Sequence, residues 1–165
     1  TKLFGSTKED PDTGKMGWRY TPYVIEPAAG ATRGLLVYLI DAYHEESVKD
    51  AKGNDTTRVV MKLHTKLAPF KVAVLPLIKK DGLPEIARDL VKQFMRAGIN
   101  ARYDEQHAIG KRYRRHDEVG TPYCLTIDGD TKDDNCVTIR DRDTMAQERI
   151  PIDEAVNIVT NKLNH

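Results

Sequence analysis

Three stretches of this chain carry side chains dense enough to do chemistry. In "GKRYRRHDEVGTPY" (110–123), Lys111, Arg112, Arg114 and Arg115 crowd together, and Asp117 and Glu118 follow. At helical spacing Lys111, Arg114, Arg115 and Glu118 share one side, and Ile109, Tyr113 and His116 another. Such a side suits a solvated face with Arg114–Glu118 and Arg115–Glu118 pairs, or a grip on phosphates. In "CVTIRDRD" (136–143), strand alternation sends Arg140 and Arg142 one way and Asp141 and Asp143 the other, with Arg149 close in sequence. Arginine binds phosphate bidentately and stacks on bases, and carboxylates accept from the cytosine amino group. The plainer reading is an edge strand protected by charge. In "VIEPAAGATRG" (24–34), Glu26 and Arg33 flank a glycine-containing passage from strand to helix. An arginine there holds a phosphate or a purine, or simply pairs with Glu26.

Composition narrows the choice. Lys plus Arg (26) nearly balance Asp plus Glu (25), so any nucleic-acid affinity must come from a local patch. "AIGKR" lacks the P-loop pattern: Glu105 stands where the first glycine belongs, and Arg112 where Ser or Thr should follow Lys111. There is no G-x-S-x-G, "HDE" is not H-E-x-x-H, and five His and two Cys show no metal spacing. Cys124 and Cys136 read as buried thiols of a cytoplasmic protein rather than a disulfide. No apolar run approaches the roughly 20 residues of a membrane span, and no secretory signal opens the chain. It begins at Thr1 rather than Met and reads as an excised fragment.

The elements that must position these residues follow from periodicity. Residues 1–20 are polar lead-in, and Tyr23–Ile25 predict a short strand. The run over 34–46 is apolar on nearly every face and predicts a helix packed in a larger body. "RVVMKLH" alternates as a half-exposed strand. "KVAVLPLI" (71–78) is a nearly continuous apolar run, as in a strand covered on both faces. Pro84 suits a first helical turn, Ile86, Leu90, Phe94 and Ala97 share a helix face, and Gly98 stops it. A strand at 99–104, a helix at 109–119, strands "PYCLTID", "CVTIRDRD" and "ERIPI", and a closing helix complete the pattern. The βαβ start favours a parallel pair with a right-handed crossover, and the later hairpin makes the sheet mixed. The expected division is a remnant over 1–65 and a compact α/β domain over 66–165.

Together, "YVIEPAAGATRGLLVYLIDAY", "LAPFKVAVLPLIKKD", "IGKRYRRHDEVGTPYCLTID" and "VTIRDRDTMAQERI" resemble the C-terminal part of class II glycyl-tRNA synthetase, from about residue 20 onward. The resemblance implies an anticodon-binding domain from about residue 66, a mixed five-stranded sheet flanked by three helices. Before it would stand a partial strand-helix piece of the catalytic domain carrying the third class II signature. In that reading Arg33 and Glu26 are catalytic. Gly30, Ala31, Thr32 and Arg33 bind ATP, and Glu26, Ala28 and Gly30 hold glycine. The chain departs from the pattern at Ala28, often Ser in the family, and at Thr32, often Asp or Gly. The parent enzyme would use ATP and Mg2+ to activate glycine and would transfer it to tRNA(Gly) as a cytoplasmic homodimer. This stretch alone would be inactive, without cofactor or metal of its own, and would bind the tRNA anticodon.

Every glycine codon begins GG, so the last two anticodon letters are both C. The residues expected to meet the loop are Lys111, Arg114, Arg115, Arg140, Arg142 and Arg149 as the grip, with Asp141, Asp143 or Glu148 as acceptors for cytosine. Two alternatives stand beside this reading. One is a non-catalytic accessory protein on the same domain, binding nucleic acid or a polymerase. The other is a nucleotide-binding α/β domain with phosphates at the "IGKR" helix.

Overall fold

The computed structural model describes residues 9, 14, 16, 23–49 and 53–164, divided into two units at the Ala31–Thr32 junction. In the first unit Glu9 and Met16 form an isolated antiparallel bridge, and residues 23–30 are exposed and without regular structure. The strand expected at Tyr23–Ile25 is therefore not formed. A strand satisfies its backbone groups only by pairing, and these residues pair with no described strand.

Helix α1 (Ala31–Ala42) starts and stops earlier than the apolar run over 34–46 predicts. Only Ala42 is buried, while Leu36, Val37 and Ile40 are 56%, 59% and 67% exposed. The chain then forms β1 (Tyr43–Lys49), which pairs antiparallel with β2 (Asp55–Met61) from Tyr43↔Met61 to Lys49↔Asp55. "HEES" has no strand preference of its own; a full register of backbone pairs with β2 overrides it.

From residue 72 the expected α/β pattern holds. The elements are β3 (Val72–Pro76), α2 (Leu83–Arg96), β4 (Ala101–Tyr103), α3 (Ile109–Val119), β5 (Tyr123–Ile127), a one-turn α4 (Thr131–Asp134), β6 (Cys136–Asp141), β7 (Gln147–Pro151), a 3-10 turn (Ile152–Glu154) and α5 (Ala155–Asn164). The five strands make one mixed sheet in the order β4-β3-β5-β6-β7. β3 is parallel to both β4 and β5, and β6 and β7 continue antiparallel. Because α2 steps outward from β3 to β4 and α3 steps back across β3 to β5, right-handed crossovers place them on opposite faces.

One face carries the main core. Leu83, Ala87, Leu90 and Phe94 of α2 and Ala155 and Val159 of α5 pack on Val72, Val74, Leu125, Val137 and Ile139. Gly98, at φ +77°, ends α2, and Ile99 N–H returns to the Phe94 carbonyl at 2.9 Å. The other face is smaller: Ile109 and Tyr113 of α3 cover Ala73, Leu75 and Cys124. β3 lies between the two and is buried throughout, as its unbroken apolar run requires. Burial pushes the Cys124 thiol up to about 12, so it packs as a small apolar group rather than a nucleophile.

The hairpin β1–β2 packs on α3 through β2. Gly120 marks the contact. It ends α3 at φ +84°, and a Cβ there would stand 2.9 Å from the Met61 carbonyl oxygen. We expect Gly120→Ala to lower stability by about 2 kcal/mol from the left-handed conformation and the backbone clash together. A guanidinium titration of both proteins checks this, and an unchanged midpoint would refute it.

Candidate nucleic-acid interface

Helix α3 divides as its spacing predicts. Lys111, Arg114 and Glu118 are exposed, and Arg112, His116 and Asp117 are buried. The expected Arg114–Glu118 and Arg115–Glu118 pairs do not form among the described residues. Arg115 turns instead to Asp104, just after β4, at 2.5 Å. Lys111 and Arg114 make no ion pair among the described residues, which leaves two cations facing solvent.

The buried side of α3 is charged. Asp117 accepts two bonds from Arg140 of β6, at 2.8 and 3.0 Å, and one from Arg58 Nε of β2, at 2.9 Å. Arg58 reaches on to Glu46 of β1 at 2.7 Å and to the Arg142 carbonyl, and Lys62 meets the same Glu46 at 2.6 Å. The Tyr113 ring lies over the Arg140 guanidinium with 4.8 Å between them. Arg142 donates to the Leu63 and Gly120 carbonyls at 3.0 and 2.9 Å and pairs bidentately with Asp143. This pair draws the Asp143 carboxyl below its usual range.

The expectation of an open arginine face on β6 is therefore corrected. Arg140 and Arg142 are both buried, at 6% and 4% exposure. Alternation does place Arg140 on the α3 side, but α3 covers that side; Asp117 takes up the Arg140 guanidinium, and Asp143 with backbone carbonyls takes up that of Arg142. Arg112 is likewise internal: it donates to the Pro76 and Leu77 carbonyls at 2.6 and 3.2 Å and fastens α3 to the end of β3.

The remaining expected residues separate across the sheet. Arg149 of β7 pairs with Thr138 of β6, which pairs with Thr126 of β5, on the α3 side. Its guanidinium is held by Asp128 and Asp134, both at 2.7 Å. Asp134 and Asp128 raise the Arg149 pKa, and Arg149 lowers theirs. Glu148 is adjacent in β7 and so faces the other way. It borders a shallow pocket of about 160 Å³ that includes Tyr123, Asp141, Thr144 and Lys162. Asp141 is committed to its own turn, accepting from the Asp143 and Thr144 amides at 2.9 and 2.8 Å. Glu26, Ala28, Gly30, Ala31, Thr32 and Arg33 are all exposed.

Several residues that matter here escaped the sequence reading. Arg58 and Glu46 carry no local signal, since their partner Asp117 lies 59 positions beyond Arg58. Asp128 closes the predicted strand "PYCLTID" and Asp134 sits in the turn-rich loop "GDTKDDN", and neither carries a binding signal there.

The interface thus offers an exposed pair, Lys111 and Arg114, a half-exposed Arg115, and an Arg149–Asp128–Asp134 cluster on the same side of the sheet. Among the described residues no three or more His, Cys, Asp or Glu gather in a way that could hold a metal ion, and no helix is long and apolar enough to cross a membrane.

The chain is 51% identical over 154 residues to the glycine–tRNA ligase of Corynebacterium efficiens, covering 93% of this chain and 32% of that protein. It is 47% identical over 156 residues to the glycine–tRNA ligase of Treponema denticola, covering 94% and 34%. The chain thus spans about a third of the length of the curated relatives it matches. A crystal structure of prolyl-tRNA synthetase from Cryptosporidium parvum, complexed with L-proline and AMP, superposes with a TM-score of 0.59 at 19% identity, over 72% of this chain and 31% of that one, and shares its fold. The family model described as "Anticodon binding domain" matches residues 71–162, which begin at β3 and end within α5. With the sheet order, the two opposed crossovers and this match in agreement, the chain belongs to the anticodon binding domain family.

Proposed function

We propose that this chain is the anticodon-binding part of a glycine–tRNA ligase, together with the third class II signature of its catalytic domain. The observation that carries the reading is the 51% identity to a glycine–tRNA ligase over 93% of the chain, a span that takes in both the Arg33 stretch and the basic helix. That span also favours the ligase over the accessory-protein alternative, which has no need of a catalytic arginine. The whole enzyme activates glycine with ATP and Mg2+, transfers it to tRNA(Gly), and works as a cytoplasmic homodimer. Within it, Glu26, Ala28 and Gly30 hold glycine, and Gly30, Ala31, Thr32 and Arg33 hold ATP, with Glu26 and Arg33 catalytic. The apolar surface of α1 packs against the rest of the catalytic domain.

The anticodon surface is Lys111, Arg114, Arg115 and Arg149, with Asp143 and Glu148 as outlying acceptors. Lys111 and Arg114 hold backbone phosphates, since both are exposed and free of ion pairs among the described residues. Arg140 and Arg142 are positioning residues that lock α3 and the end of β6 beneath this surface.

Filter binding of the chain to tRNA(Gly) and to a C-to-U anticodon variant tests the reading. Tighter binding of the natural anticodon is the expected outcome, and equal affinity for both sinks it. The double substitution Lys111→Gln, Arg114→Gln is expected to reduce the slope of log affinity against log salt by about 2. An unchanged slope would remove these two residues from the phosphate contact.

A further inference from the structure

The donors of Arg149 are all spent. A guanidinium has five N–H groups in one plane, and each has an acceptor here. Nε donates to Asp134 at 2.7 Å, one terminal nitrogen to Asp128 at 2.7 Å and Thr138 at 3.2 Å, and the other to Asp128 at 3.1 Å and Asp134 at 3.0 Å. The side chain is nevertheless 33% exposed. With two carboxylates around one guanidinium, the cluster carries a net negative charge and repels phosphate. No edge is left to read a base by hydrogen bonds. Only the flat face of the guanidinium remains to make a contact.

The protein completes this arrangement one row away in the sheet. Arg140 pairs across with Gln147, and Arg149 stands two residues further along β7 on the same face. Arg140 has its edge forked onto Asp117 and its face covered by the Tyr113 ring at 4.8 Å. Arg88 and Arg102 also have rings over their faces, Tyr103 at 5.0 Å and Phe70 at 5.1 Å. Among the described residues no ring covers Arg149.

We propose that Arg149 is a stacking platform: its guanidinium plane carries one unstacked base of the anticodon loop, while Asp128, Asp134 and Thr138 hold it flat by its edge. The inference rests on the anticodon reading above and specifies the contact, an aromatic nucleobase face rather than a phosphate. Asp128 and Asp134 then have a functional reason to sit in an RNA-binding surface. They fix the plane of the platform and keep the backbone of the loop away from it.

The test uses the chain with tRNA(Gly) transcripts carrying the fluorescent cytosine analogue pyrrolocytosine, or an abasic nucleotide, at the second or third anticodon position. Binding to the wild-type protein quenches the analogue at one of the two positions, and an abasic nucleotide there weakens binding roughly tenfold to hundredfold. Arg149→Lys keeps the charge, which would preserve a phosphate contact, but offers no plane. It is expected to abolish the quench at saturating protein, to weaken binding by a similar factor, and to gain no further loss from the abasic nucleotide. Retained quenching and unchanged affinity in Arg149→Lys overturn the platform while leaving the anticodon reading in place. Failure of the wild-type chain to prefer the natural anticodon overturns that reading and the platform with it. The abasic and fluorescence arms on wild-type protein decide the question even if the lysine variant is poorly folded, because absence of both effects at both positions also overturns the platform.

Discussion

Asp117→Ala is expected to cost about 3–5 kcal/mol of stability, because it strands the buried Arg140 guanidinium and takes one of two carboxylates from the buried Arg58. Arg140 loses its carboxylate partner outright and Arg58 keeps Glu46 and the Arg142 carbonyl; the Asp117, Arg58 and Arg140 side chains are 2%, 3% and 7% exposed, so water cannot replace the lost carboxylate. The damage should spread beyond α3. Arg58 ties the hairpin to the helix, and Arg140 ties the helix to β6, so both contacts loosen at once. Guanidinium unfolding followed by circular dichroism measures the effect. A change under about 1 kcal/mol would place the cluster with exposed pairs, which contribute that little. Arg58→Met with Asp117 intact should be milder, since Asp117 keeps both bonds from Arg140.

Stability should fall between pH 7 and pH 4.5 by about 2–3 kcal/mol because of His116 alone. Burial holds this imidazole at about 4 against 6.5 in the unfolded chain. Asp104, 3.7 Å from Nε2, and Asp117 pull the other way, while Arg102 and Arg115 add to the depression. Nδ1 meets the Thr121 hydroxyl at 3.2 Å, and Nε2 has no hydrogen-bond partner among the described residues. Between those two pKa values the unfolded state binds the extra proton. The stabilisation is therefore complete above about pH 6.5 and is lost as pH falls towards 4. Carboxylates drawn down by cationic partners, such as Glu46 beside Lys62 and Asp128 beside Arg149, lose their contribution at still lower pH. Denaturant midpoints at pH 7 and 4.5 for the wild-type chain and for His116→Gln isolate the imidazole. The variant should lose most of the difference between the two pH values, and an equal difference in both proteins would assign it to the carboxylates.

Much of the fold is legible without coordinates because its signals are local. The run "VAVLP" (72–76) is apolar at every position, as suits a strand covered on both sides. Helix α3 keeps its period from Ile109 to Val119, and the glycine that stops it follows at once. The mixed sheet follows from a βαβ start and a later hairpin. β1 is not legible, because "YHEESVK" becomes a strand only when β2 lies beside it.

The candidate site divides along the same line. Residue types and spacing by themselves determined the family resemblance, the basic helix, and the outward placing of Lys111 and Arg114, but not the turn of Arg115 to Asp104. Only the tertiary structure decided what the arginines do. Arg140, Arg142 and Arg149 are alike in sequence, each beside an acidic residue in or next to a strand. Folding buries the first under Tyr113 and Asp117, spends the second on Asp143 and the carbonyls of Leu63 and Gly120, and leaves the third with its edge full and, among the described residues, no ring over its face. A guanidinium takes its role from the acceptors within about 3 Å of it. For these three residues most of those acceptors lie far away in the chain, so only the packed sheet brings them together.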